Sequence, residues 1–154
     1  MIEHNVYLGL GANLGDKEQT ILHAISLIGE RVGRVRYQSS IYTTNPWGFV
    51  SDNKFANAAV CCITTLTPRQ VLEQTQEIER MLGRTTKTIG TDYHDRAIDI
   101  DILMYDDLHV DEPDLKIPHP LMREREFVMV PLNEIFSQAG MPVIQSDIKQ
   151  LNYK

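Results

Sequence analysis

Between the strand-forming runs "RVRYQSSIYTTN" (34–45) and "KFANAAVCCITTL" (54–66) lies only the turn-rich "NPWGFVSDN". A parallel pair needs a crossover of a dozen or more residues, usually a helix, so these strands are expected to pair antiparallel. Each has a helix on its far side. Upstream, "NVYLGLGA" (5–12) reads as a strand and leads into "GDKEQTILHAISLIGERVG". There Asp16 is the N-cap, Gln19 stands three residues on, Ile21, Leu22, Ile25, Ile28 and Val32 share a face, and Gly33 is the stop. Downstream, Thr67 caps a helix with Pro68 at its first position. This helix turns Val71, Leu72, Thr75, Ile78 and Leu82 inward and stops at Gly83. After the polar stretch "RTTKTIGTDYHD" comes the strand "AIDIDILMY". The order strand, helix, strand, strand, helix, strand predicts an α+β, ferredoxin-like fold: an antiparallel sheet with helices packed on one face. The remainder, "DDLHVDEPDLKIPHPLMREREFVMVPLNEIF", is read as a hairpin plus a short helix.

No repeat or Gly/Ser/Pro-rich linker divides the 154 residues, so one domain over 1–154 is expected. The formal net charge of −6 gives no general affinity for nucleic acid or an anionic membrane; a polyanionic ligand must meet a local basic cluster. Cys61 and Cys62 are adjacent, and a strand sends them to opposite faces, which argues against a mutual disulfide and for reduced residues. With no basic-then-apolar leader and no long apolar run, the chain reads as soluble, unexported and cytoplasmic.

Asp99 and Asp101 alternate with Ile98, Ile100 and Ile102. A strand places the carboxylates on one face with Cα atoms roughly 6.6 Å apart and the isoleucines on the other. By itself the pattern fits a wet strand face equally well. Its neighbours tip the balance: Arg84, Lys87 and Arg96 precede it, and Lys116, His119, Arg123 and Arg125 follow. Paired carboxylates that hold Mg²⁺ among basic residues suit a metal-bound polyphosphate. Gly9, Gly11 and Gly15 form G-x-G-x-x-x-G, one residue too long for a dinucleotide fingerprint, and read as close-packing and turn residues. The sequence contains no P-loop, structural-zinc spacing or nucleophile elbow.

"YLGLGANLGD", "TTNPWG", "FANAAV", "QEIERMLGR", "RAIDIDILMY" and "IPHPLMREREFVMVPL" together resemble the 6-hydroxymethyl-7,8-dihydropterin pyrophosphokinases of the folate pathway. The resemblance runs over roughly residues 5–135, and "RAIDIDI" followed by "IPHP" is its most specific part. It implies transfer of the β,γ-diphosphoryl group of ATP to the pterin hydroxymethyl oxygen with release of AMP, and two Mg²⁺ ions held by Asp99 and Asp101. It further implies catalytic roles for Arg84 and Arg96 in a mobile loop. ATP contacts are implied for Gln76, Glu79, Lys87, Ile102, Lys116, His119 and Arg125. On the pterin side stand Thr44, Asn45, Pro46, Trp47, Phe55, Asn57 and Phe127; the two phenylalanines would sandwich the heterocycle, Asn57 would read its amide edge, and Trp47 would serve as a lid. Tyr93 and His94 occupy the part of the loop where the family often carries tryptophan. Asp114 and Pro120 also depart from its pattern.

The polar loop 84–96 is expected to close over both substrates, and a monomer is the default expectation. Two other readings share some of these features. A ferredoxin-like module could sense a small molecule without turning it over. A two-metal nuclease would use the same carboxylates but requires an affinity for nucleic acid that the net charge disfavours.

Overall fold

The computed structural model describes residues 2–44, 55–83 and 97–143, with Thr44 described for its backbone alone. Its elements are β1 (His4–Ala12), α1 (Lys17–Arg31), β2 (Arg34–Gln38), β3 (Tyr42–Thr44), β4 (Phe55–Thr64), α2 (Pro68–Gly83) and β5 (Asp99–Tyr105). These are followed by β6 (Val110–Glu112), β7 (Leu115–Ile117), a 3₁₀ turn (Met122–Glu124) and α3 (Glu126–Gln138). All pairings are antiparallel. The main sheet runs β2-β4-β1-β5, with β3 also on β4, while β6 and β7 form a separate hairpin. Among the described residues no helix is long and apolar enough to cross a membrane.

The helix starts form as their sequences dictate. Asp16 Oδ1 accepts the Gln19 N–H at 3.2 Å. Thr67 Oγ1 accepts the Gln70 N–H at 3.1 Å while Gln70 Oε1 accepts the Thr67 N–H at 2.9 Å, a reciprocal cap. Gly33 follows α1 where the chain runs hard against β4, and a side chain there would collide with the Ile63 carbonyl.

The sheet is covered on both faces. On one, α1 and α2 bury Ile21, Ile25, Ile28, Val71 and Ile78 against Val6, Leu8, Leu10, Ile98, Ile100 and Ile102. On the other, α3 buries Val128, Met129, Leu132, Ile135 and Phe136 against Tyr7, Ala59, Cys61 and Leu103. The expected one-sided packing is therefore corrected: the late apolar run forms a 13-residue helix closing the second face. Leu22 is also corrected, being 44% exposed while Ala24 and Leu27 take the buried positions. Cys62 joins the first core and Cys61 the second, both as free thiols.

The expected continuous strand 34–45 is broken in two. Ser39 occupies the break, donating its N–H to the Ala59 carbonyl at 2.9 Å and accepting the Ala59 N–H on Oγ at 2.9 Å. Its hydroxyl also donates to the Ser40 carbonyl at 2.8 Å. A serine side chain thus replaces one rung of the ladder, a local competition that no pattern of hydrophobicity reports.

Candidate active site

Strand register builds the site. Tyr42 faces Asn57, Asn57 faces Gly11, and Gly11 faces Asp99, so one row crosses β3, β4, β1 and β5. The next row toward α3 holds Ala59, Gly9 and Asp101. Directly paired residues project to the same face, so Asn57, Asp99 and Asp101 stand on the α3 side, opposite the isoleucines. Between the amide and the carboxylates, β1 contributes only glycine. A Cβ on Gly11 would come within 3.2 Å of Asn57 Oδ1 and 3.9 Å of Phe55 Cδ1, and one on Gly9 within 3.3 Å of a Leu103 methyl. The reading of these glycines as close-packing residues agrees with this geometry. Gly15, with φ of +62°, serves the turn before α1.

β5 lies at the sheet edge, where its outward backbone groups need partners. Glu79, on α2, accepts the Ile100 N–H at 2.7 Å, and the His119 N–H donates to the Leu103 carbonyl at 2.9 Å. Because Ile100 donates outward, Leu10–Ile100 is a non-hydrogen-bonded pair. Leu8–Ile102, two rungs along, is another, so the Ile102 N–H also points away from β1. The Ile102 side chain is buried in the first core, which leaves its backbone as the part that can meet a ligand. Gln76, Glu79, Arg80 and Gly83 line an open depression beside this edge.

On the α3 side, His119 is half-buried. Its Nδ1 accepts the Leu121 N–H at 3.2 Å, which leaves Nε2 to carry the proton of the neutral ring. Burial, followed by the Arg125 charge, pushes its pKa below the ordinary value, while Asp99 opposes them. Arg125 sits at the hinge between the 3₁₀ turn and α3, donating its N–H to Met122 and accepting the amides of Val128 and Met129 on its carbonyl. Its guanidinium carbon is 5.7 Å from the centre of the Phe127 ring.

The structure thus brings Phe55, Asn57, Asp99, Asp101, His119, Arg125 and Phe127 to one side of the sheet, with Gln76 and Glu79 at its β5 edge. It places Lys116 on the β6–β7 hairpin, in an ion pair with Asp111 at 2.6 Å. Asp114, one of the departures noted above, is 2.8 Å from Arg69, which also pairs with Glu112; the hairpin is thereby tied to the start of α2. Arg84, Lys87, Arg96, Tyr93, His94, Asn45, Pro46 and Trp47 lie outside the described residues, as does the expected closure of loop 84–96. Sequence reasoning missed Glu134 on α3, whose partners Ser40 and Tyr42 are more than ninety residues away in the chain. Its only signal is a carboxylate set, beside Asn133, in the mostly apolar run "FVMVPLNEIF".

Two carboxylates on a sheet edge, flanked by a histidine and an arginine, form the type of site found in metal-assisted phosphoryl-transfer enzymes. The family model for 7,8-dihydro-6-hydroxymethylpterin-pyrophosphokinase matches residues 7–137, and the chain belongs to that family. It is 47% identical over 131 residues to the 2-amino-4-hydroxy-6-hydroxymethyldihydropteridine pyrophosphokinase of Porphyromonas gingivalis, covering 84% of this chain and 89% of that one. With the enzyme of the same name from Bacillus subtilis it shares 37% over 145 residues, covering 94% and 85%. The fold is similar to that of wild-type Plasmodium falciparum HPPK-DHPS, with a TM-score of 0.70 at 16% identity over 94% of this chain. The match spans 43% of that longer chain.

Proposed function

We propose that the reaction of this chain, transfer of the diphosphoryl group of ATP to 6-hydroxymethyl-7,8-dihydropterin with release of AMP in folate biosynthesis, takes place on the glycine-floored face between Asn57 and Asp99. The observation that carries this reading is the cross-sheet row. Asn57 and Asp99 are two strand spacings apart, about 10 Å, with no side chain on the intervening β1 residue. A flat heterocycle fits over that floor, its amide edge toward Asn57 and its hydroxymethyl arm toward the carboxylates. Phe55 and Phe127 supply ring faces, Thr44 ends β3 opposite Phe55, and pterin contacts for Asn45, Pro46 and Trp47 are proposed on the family resemblance.

ATP is the co-substrate, and the β5 edge suits it. The outward Ile102 N–H can donate to a purine ring nitrogen, with Gln76 and Glu79 alongside. Arg125 and the Nε2–H of His119 face the phosphates, and Lys116 can join them by leaving its exposed partner Asp111. By family resemblance, catalytic roles for Arg84 and Arg96 and an ATP contact for Lys87 are proposed as well.

Asp99 and Asp101 are the residues that would hold Mg²⁺, and two ions are proposed. Among the described residues no third His, Cys, Asp or Glu completes a protein cage. That donor set fits Mg²⁺, which keeps water and substrate phosphates in its coordination sphere. When bound, the metal supplies charge neutralisation for the phosphates and acidifies the attacking hydroxyl. The protein's own contribution is alignment and exclusion of water. A bond forms from the hydroxymethyl oxygen to the β-phosphorus as that oxygen's proton is released to solvent, the bond from that phosphorus to the α,β-bridging oxygen breaks, and AMP leaves with that oxygen.

We further propose one domain over residues 1–154, acting as a monomer in the cytoplasm. Product analysis with MgATP and 6-hydroxymethyl-7,8-dihydropterin tests the reading. AMP formed one-for-one with pterin diphosphate is the expected result; ADP would indicate an ordinary kinase, and pterin binding without turnover a sensor.

A further inference from the structure

Glu134 projects from α3 onto the break between β2 and β3 and accepts four hydrogen bonds there. Oε1 takes the Ser40 N–H at 2.9 Å and the Tyr42 hydroxyl at 2.6 Å. Oε2 takes the Ser40 hydroxyl at 3.1 Å and the Gln138 side-chain amide at 3.3 Å. Gln138 also donates to the Gln38 carbonyl at 3.2 Å, so both ends of the break are tied to one turn of α3. The strand entered immediately after the break is β3. Among the described residues it is three residues long and pairs on one side only, Tyr42 with Asn57, Thr43 with Ala56 and Thr44 with Phe55. Three rungs at a sheet edge specify register weakly.

We infer that Glu134 is a positioning residue for the pterin site: it fixes the register of β3 against β4, and so sets the β3 backbone through Thr44 relative to Asn57. The inference rests on the reading of Asn57 and Thr44 as pterin contacts. Glu134 touches neither substrate in this reading and acts through Ser40 and Tyr42. It lies on the β3 side of the sheet, across β4 and β1 from Asp99, so its effect falls on one substrate. Burial pushes the Glu134 carboxyl up, but the four donors outweigh it and hold the group below its ordinary value. The carboxylate therefore stays charged and accepting at neutral pH.

The test measures KM for each substrate and kcat in Glu134→Ala, Glu134→Gln, Tyr42→Phe and Asn57→Ala. A positioning role predicts that E134A raises the pterin KM by about tenfold or more, with the MgATP KM within about twofold of wild type. Y42F should give a smaller shift of the same kind, and E134Q, which keeps one acceptor oxygen, should restore part of the loss. An unchanged pterin KM in E134A, or equal changes in both KM values, overturns the inference. If E134A does not fold, Y42F and E134Q carry the same comparison. Asn57→Ala separates the two levels: if it leaves the pterin KM unchanged, the site reading itself fails and the inference falls with it. If N57A raises KM while E134A, E134Q and Y42F do not, the positioning role alone is wrong.

Discussion

The Glu79 carboxylate accepts the N–H of Ile100 at 2.7 Å, and Ile100 is the residue between the two aspartates. A side chain from α2 therefore holds the backbone that aims Asp99 and Asp101. Glu79→Ala should lower kcat/KM for MgATP by about ten- to a hundredfold, the scale of a lost charge-assisted hydrogen bond. Glu79→Gln keeps an acceptor and should fall between. Steady-state rates with ATP varied decide it; a glutamine variant as impaired as the alanine one would show that the negative charge, and not the hydrogen bond, is what the site requires.

Asp99 and Asp101 are both half-buried. Replacing either by Ala should reduce AMP formation by about a thousandfold or more, since several kcal/mol of charge stabilisation depend on them. Stability should change by no more than about 1 kcal/mol. Thermal melts beside turnover assays check both halves, and near-normal activity in either variant would remove that carboxylate from the metal site.

The two β1 glycines should respond differently to alanine. A methyl at Gly11 presses on Asn57 Oδ1, whereas one at Gly9 meets the flexible end of Leu103. Gly11→Ala should raise the pterin KM by about tenfold. Gly9→Ala should act mainly on stability, by roughly 1 kcal/mol, as Leu103 repacks. Pterin titrations at fixed MgATP distinguish them, and equal pterin KM values would show that the glycine floor does not shape the pterin site.

Glu134 predicts an acid dependence of stability. Its carboxyl is held below the ordinary 4.5 in the folded state, so on acidification the unfolded chain takes up that proton first. Its contribution is complete above about pH 4.5 and is lost as pH falls through the folded value. At pH 7 Glu134→Gln should cost roughly 1–3 kcal/mol, and the gap from wild type in urea unfolding should narrow as the pH falls below the ordinary carboxyl value. A gap independent of pH would contradict it. Tyr42 is no competing source near neutrality: its hydrogen bond to Glu134, burial and the Glu134 charge push its pKa up to about 12, so it remains a donor.

Cys61 and Cys62 are 1% and 0% exposed, and burial pushes both thiols up, Cys62 to about 12. Few thiolates form at neutral pH, and reagents cannot reach them. An aromatic disulfide reagent should therefore label neither in the native protein and both in denaturant; rapid native labelling would contradict the two-sided covering of β4.

What the sequence disclosed follows the range of the interactions involved. Caps at Asp16 and Thr67, the faces of α1 and α2 and the alternation in β5 are set within a few residues, and they stand as the residue types require, with Leu22 the exception. The aspartate pair was legible for the same reason, since strand geometry alone puts both carboxylates on one face. The broken strand was not legible, because the Ser39 side chain competes with the ladder only when Ala59 is opposite. α3 reads from the sequence only as a short helix because its partner, the second sheet face, exists only after β1, β4 and β5 assemble. Glu134 is hidden for the same reason: apart from Gln138, its donors Ser40 and Tyr42 come from the far end of the chain.

The alternation in β5 ties chemistry to folding in one further way. A slip of β5 by one position against β1 would exchange the two faces, burying Asp99 and Asp101 beneath α1 and α2 and turning Ile100 and Ile102 toward the substrate side. No form slipped by one position could be partly competent, because that shift removes the core and the proposed catalytic carboxylates together. Turnover is therefore a census of correctly registered molecules, and specific activity during refolding would count native chains where circular dichroism, blind to register, would count every chain that had made a sheet.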